Sequence, residues 1–274
     1  MRTIAMRCGA PWWTRGCASS ASNSITKVRS CCRAIEGHSM QCVILAGGLG
    51  TRMRPLTETC PKTLLPAQGR PFAWHQLHWL AAQGITEVIY SIGHQGGMIR
   101  RYWADEPSPV ASIRYVDEGR QLRGTAGALR LAREEGVLAE SFFVIYGDSF
   151  LPVEFGPIWR AFQASCQPAL MTVLRNEGRW DRSNVIYEPG RVMLYDKAAA
   201  PGMQYIDYGL SCFHRDVFDN PPPADLAVLF HDLSLQGRLA GFQVHERFYE
   251  IGSPAGLRDF EEYLLTCQTA HLSR

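Results

Sequence analysis

The sequence predicts an α/β fold: a doubly wound, mostly parallel sheet with helices on both faces, followed by a β-rich part. Three observations carry this expectation. Short apolar or β-branched runs alternate with helix-spaced segments between residues 40 and 150. A glycine-rich turn directly follows the first of those runs, the place where open α/β sheets bind ligands. Beyond residue 150 the alternation gives way to strand pairs separated by turn residues.

Val43-Ile44-Leu45 reads as a buried first strand bounded by Gly47, Gly48 and Gly50. The segment from Pro71 to Gln83 has helical spacing at Phe72, Leu77 and Leu80, with Gly84 as its C-terminal stop. Strands are expected at 88–92, 112–116 and 142–146, and helices from Gly96 to Trp103 and from Gly124 onward. A helix over 156–165 and a strand over 169–174 come next. Glu188-Pro189-Gly190 then separates two strand-like runs, a hairpin signal. A strand over 209–213, a helix over 224–235, a strand over 242–248 and a closing helix over 254–265 complete the series.

Composition narrows the function classes. The chain has 274 residues, 46% of them hydrophobic, and its net charge is +2. Residues 1–39 hold six basic residues against Glu36 alone, so the rest of the chain is slightly acidic and has no nucleic-acid footprint. This Arg-, Ser- and Cys-rich leader resembles a transit peptide in composition, or is upstream sequence from a mis-assigned start. It is expected to be disordered, with one domain over 40–270. No apolar run approaches a membrane span. Of the nine cysteines four lie in the leader, and the other five are scattered without metal-type or disulfide-type spacing. A cytoplasmic protein with reduced thiols is the expectation.

The stretch 40–66 is the most informative. Glycines at 47, 48 and 50 let backbone approach a ligand and leave N–H groups free for phosphate oxygens. Thr51 adds a hydroxyl, and Arg52, Arg54 and Lys62 add cations. A Walker loop is excluded, because no Gly-Lys pair is present. The dinucleotide fingerprint is only partial, because Met53 stands where its third glycine belongs.

Gly47-Gly48-Leu49-Gly50-Thr51-Arg52, Arg54-Pro55-Leu56-Thr57 and Pro61-Lys62-Thr63-Leu64-Leu65-Pro66 together resemble the signature of the sugar-phosphate nucleotidyltransferases. Among these, the small stand-alone heptose 1-phosphate guanylyltransferases and muramate 1-phosphate uridylyltransferases look most similar. The resemblance implies a Rossmann-like, GT-A-like fold with a β-rich sugar-binding part, and transfer of a nucleoside monophosphate from an NTP to a sugar 1-phosphate. It further implies that Leu45, Ala46, Gly47, Gly48, Gly50 and Thr51 bind nucleotide, with Gly124, Thr125 and Gln121 near the base. Arg52, Lys62 and Lys197 would be catalytic cations. Asn184, Asp196, Tyr208 and Gly209 would contact the sugar phosphate.

Asp148 stands at the end of a strand, and Glu250 lies in Tyr249-Glu250-Ile251-Gly252-Ser253, where the family more often has Asp. Together they are the expected Mg²⁺ ligands. Each has a plainer reading, Asp148 as a turn residue and Glu250 as a solvated charge. A catalytically silent nucleotide-sugar-binding relative and a dinucleotide-dependent oxidoreductase are the alternative functions. NTP and sugar 1-phosphate are the expected partners, with no nucleic acid and no membrane, and a homo-oligomer is left open.

Overall fold

The computed structural model describes residues 40–119, 121–198, 201–220 and 223–272, all within one compact unit. The leader expected over 1–39 lies outside the described residues. Strand β1 (Met40–Leu45) is buried on both faces and occupies the middle of the parallel region. Three short 3-10 turns follow at Thr51–Met53, Leu56–Glu58 and Lys62–Leu64. The small ribbon β2 (Pro66–Ala67) and β3 (Arg70–Pro71) leads into helix α1 (Phe72–Ala82). That helix stops at Gly84, whose φ of 87° only glycine adopts without strain. Next come β4 (Ile85–Ile92), α2 (Gly96–Asp105), β5 (Ser112–Asp117), α3 (Thr125–Glu134) and β6 (Ser141–Tyr146).

The second part contains β7 (Ser149–Phe150), α4 (Phe155–Ser165), β8 (Ala169–Arg175) and the hairpin of β9 (Val185–Glu188) and β10 (Arg191–Tyr195). It continues through β11 (Tyr205–His214), α5 (Leu226–Leu235), β12 (Leu239–Val244), β13 (Tyr249–Glu250) and α6 (Pro254–Leu272). The strand expected over 242–248 therefore begins and ends earlier. The one expected over 209–213 extends back to Tyr205.

Nine strands form one sheet in the order β5-β4-β1-β6-β11-β8-β12-β10-β9. Here the expected mostly parallel sheet is corrected to a mixed one. Neighbours from β5 to β6 are parallel, as is the β8–β12 pair. Strand β11 enters antiparallel between β6 and β8, and β10 pairs antiparallel with both β12 and β9. An apolar run fixes that a strand is buried, not the direction of its neighbour, so the sequence carried no signal for this insertion.

The main core lies between the sheet and helices α3 and α5, built on Val43, Leu129, Phe142, Phe213 and Phe230. A smaller cluster of Ala67, Phe72, Phe150, Ile251 and Phe260 seats α6 against α1 and the β7–β13 ribbon. Together these cores fix the carboxyl ends of β1, β4, β5 and β6 along one edge. Backbone bonds knit that edge: Ala46 N–H to Ser91 O, Glu118 N–H to Ile92 O and Gly147 N–H to Leu45 O, each 2.8–2.9 Å.

Candidate active site

A cavity of about 260 Å³ opens along this edge. Of the expected ligand-binding residues, Leu45, Ala46, Gly47, Gly48, Lys62, Gly124, Thr125 and Asp148 line it. Thr63, Glu118, Leu122, Ala128, Tyr146 and Gly147 complete the lining. The glycine turn is accessible, with Gly48, Leu49, Thr51 and Arg52 exposed. Gly50 serves the turn itself. It sits at φ 62°, and its carbonyl accepts the Met53 N–H and the Thr57 hydroxyl.

Gly147 permits a close approach. A Cβ there would lie 2.8 Å from Thr63 Cγ2 and 3.0 Å from the Ala46 Cβ. The segment carrying Lys62 and Thr63 is thereby held under the end of β6. Lys62 forms an ion pair with Asp148 Oδ2, and both side chains are about four-fifths buried.

Strand β13 pairs antiparallel with β7, setting Glu250 opposite Ser149, and the Ile251 N–H donates to the Asp148 carbonyl at 2.9 Å. The two acids thus come from distant segments to one place. Burial and the nearby Asp148 carboxylate push the Glu250 carboxyl up to about 7, against the pull of Lys62 and Arg52, although one flank of the residue is open to solvent. The Arg52 guanidinium and Asp148 Oδ2 both approach Gly252, at 3.4 and 3.8 Å from where its Cβ would be.

Two crowded carboxylates facing two cations suit a divalent ion. Magnesium takes one or two carboxylates together with substrate phosphates. Among the described residues no group of three or more His, Cys, Asp or Glu side chains is arranged for a metal. Asp148 and Glu250 are the residues that would hold such an ion, with phosphate and water as its remaining ligands.

These features combine an open glycine turn at the carboxyl edge of a mixed sheet with a Lys–Asp pair and a second acid. The nucleotidyl transferase family model matches residues 41–184, more than half of the chain. This chain belongs to the nucleotidyl transferase family. All three signature segments and Asp148 lie inside the matched residues, while Lys197, Gly209 and Glu250 lie beyond them.

A mannose-1-phosphate guanyltransferase beta-B of Xenopus laevis is 28% identical over 224 residues, 78% of this chain but 62% of that protein. The chain therefore spans about three-fifths of that relative's length. A D-glycero-alpha-D-manno-heptose 1-phosphate guanylyltransferase of Aneurinibacillus thermoaerophilus is 27% identical over 82% of this chain and 98% of its own. Crystalline HddC from Yersinia pseudotuberculosis superposes with a TM-score of 0.67 at 22% identity, over 82% of this chain and 99% of that one, a likeness of fold.

The nucleotidyl transferase edge does not gather every expected residue. Gln121 does not line the cavity but an exposed depression that adjoins it, sharing Glu118 and Leu122 with the cavity and adding Arg123. Lys197 is exposed and pairs with Asp225 at 3.4 Å. Asp196 accepts from the Ala198 N–H, and Asn184 Oδ1 accepts from the Asp207 N–H. The Tyr208 ring is buried against Phe248, whereas Gly209 backs the Tyr146 ring of the cavity.

Thr125 does not cap its own helix. Its hydroxyl donates to Asp225 and accepts the Leu226 N–H at 2.8 Å, fastening α3 to the start of α5. Gly124 leaves room for the Ala224 carbonyl, which a Cβ would meet at 2.4 Å and which accepts the Ala126 and Gly127 N–H groups.

Two residues that the motifs did not single out belong to the site's construction. Gln76, buried on α1, donates through Nε2 to the Tyr146 and Ser149 carbonyls at 2.9 and 2.7 Å, bracketing the turn that carries Asp148. A glutamine amid the apolar positions of α1 was the available signal. Glu118 lines the cavity beside Gly47, and no local pattern marks it.

Proposed function

We propose that this chain transfers a nucleoside monophosphate from an NTP to a sugar 1-phosphate in the cytoplasm, with Mg²⁺ as its metal. The observation that carries the reading is the meeting of Lys62, Arg52, Asp148 and Glu250 beside an open glycine turn. Amides of residues 47–51 receive the polyphosphate, and Arg52 neutralises charge on the departing pyrophosphate. Lys62 faces the α-phosphate and holds it for attack. An oxygen of the sugar 1-phosphate forms the new bond to the α-phosphorus, and the bond to the β-phosphate's bridging oxygen breaks. A phosphate monoester is already ionised, so no strong general base is required. Positioning and charge neutralisation supply the rate. Asp148 and Glu250 would hold the ion, which would supply further neutralisation of phosphate charge.

Lys197 and Asp196 before it are assigned to the acceptor phosphate and sugar, together with the Gly209 backbone of β11. Mannose 1-phosphate and D-glycero-α-D-manno-heptose 1-phosphate are the first acceptors to try, given the relatives' names. The test is pyrophosphate release from a panel of NTPs and sugar 1-phosphates, with and without Mg²⁺. Release that requires both substrates and the ion is expected. Absence of turnover with every pair overturns the reading and leaves a nucleotide-sugar-binding relative.

A further inference from the structure

Trp180 stands 43% exposed in the segment that joins β8 to β9. Residues 177–182 of that segment are all exposed, yet they are not loosely strung. Asn176, fully buried at the base, donates through Nδ2 to the Asp181 carbonyl and to Ser183 Oγ. Its Oδ1 accepts the Trp180 N–H at 3.1 Å. Glu177 and Gly178, at φ 50° and 73°, turn the chain back on itself. Both strands that the segment joins end against Tyr205 of β11, Arg175 on one side and Val185 on the other. A loop with close ends, held together by its own side chains, can swing as a unit on the residues that flank it.

The Trp180 ring meets the rest of the fold at Arg247. That guanidinium lies 4.3 Å from the centre of the Trp180 ring and 4.9 Å from the centre of the Tyr249 ring. It also forms an ion pair with Asp259 of α6. Tyr249 precedes Glu250 in β13, and the Asp181 carboxylate beside Trp180 is among the charges that act on Glu250. At its other end the segment runs into Asn184. There the Asn184 carbonyl accepts the Asp196 N–H and its Oδ1 accepts the Asp207 N–H, both at 2.9 Å. The segment therefore reaches from the β13 acid to the residues assigned to the acceptor.

We propose that residues 176–183 are a flap over the acceptor side of the site, latched by the stacking of Trp180 on Arg247, and that these two are positioning residues for the sugar 1-phosphate. This rests on the transferase reading of the site. Arg247, paired with Asp259 and stacked on Tyr249, is the fixed half of the latch, and Trp180 is the half that leaves. A cation–π contact at an exposed place is a modest interaction. The latch therefore yields when acceptor enters or product departs, and it closes over bound acceptor. Apparent affinity for a ligand that needs the closed flap scales with the closed fraction, so loss of the latch weakens acceptor binding in proportion. The NTP lies on the glycine turn, outside the reach of the flap, and is not affected.

The test has two arms on the full chain. Labelled with fluorotryptophan, the protein gives a fluorine resonance for each of its seven tryptophans, and the one missing from Trp180→Phe belongs to position 180. Arg247→Ala is expected to move that resonance toward the position of a solvent-exposed indole, and an unmoved resonance overturns the latch. In the second arm, Trp180→Ala is expected to raise the KM for the sugar 1-phosphate that turns over in the panel by about tenfold. The KM for NTP should change by less than about twofold, and Trp180→Phe should stay near wild type in both. No change in either KM, or an equal change in both, overturns the positioning role. Trp180→Ala keeps the Arg247–Asp259 pair and removes an exposed side chain, so this arm decides the matter even where Arg247→Ala fails to fold. If no pair of substrates turns over, the acceptor assignment falls with the transferase, and the fluorine shift still decides the latch. Turnover with unmoved KM values spares the transferase and removes the flap.

Discussion

Asp148 and Glu250 lie side by side because a two-strand ribbon carries them: β13 pairs with β7, and the Ile251 N–H donates to the Asp148 carbonyl at 2.9 Å. The ribbon is short, but it is anchored from both faces. Phe150 and Ile251 are buried with Phe260 of α6, and Gln76 holds the turn from below. Glu250→Gln removes one of the two charges without changing shape. The Mg²⁺ concentration for half-maximal rate is expected to rise about tenfold or more, with maximal rate largely restored at high Mg²⁺. Glu250→Asp, the commoner family residue, should stay near wild type. A Mg²⁺ titration that does not move in Glu250→Gln would return this residue to a solvated charge.

Lys62 and Asp148 form a mutually compensating pair with little exposure. Lys62→Ala and Asp148→Ala should each lower turnover by at least about 100-fold, the loss expected of groups assigned to charge that develops at phosphate. Thermal melting should still show a cooperative fold in both. Loss of the folded baseline in either variant would assign that residue to structure instead.

Gln76 never reaches the cavity, yet two carbonyls of the Asp148 turn depend on it. Gln76→Ala leaves both carbonyls short of a donor in a buried place, at an expected cost of about 2–3 kcal/mol in a urea melt. The Mg²⁺ titration should also shift, because the turn is no longer bracketed. A destabilised protein with an unchanged Mg²⁺ midpoint would limit Gln76 to a packing role.

Asp207 supplies a pH dependence away from the paired acids. Burial pushes its carboxyl up to about 6, only partly offset by the Gly209 N–H that it accepts. The folded protein thus binds this proton more tightly than the unfolded chain. Its contribution to stability is greatest at low pH and is lost as pH rises from the unfolded value to about 6, with no further change above. Asp207→Asn can still accept the Gly209 N–H and escapes that loss. It should be more stable than wild type by about 1–2 kcal/mol above pH 7, with the gap closing toward pH 4. An equal gap at both pH values would contradict the assignment.

By itself the sequence determined the local elements and the residue types of the glycine turn. Glycines followed by Arg52 and Lys62 specify amides and cations within one short stretch, and apolar periodicity specified most strands and helices. Its reach ended where information is not local. The direction of β11, the partnership of Asp148 with Glu250, the use of Thr125 to cap another helix, and the placing of Glu118 rather than Gln121 in the cavity all depend on segments far apart in the chain. Strand pairing and core packing fix those distances. A carboxylate or a hydroxyl carries no mark of its eventual neighbour until the fold brings that neighbour within hydrogen-bond reach.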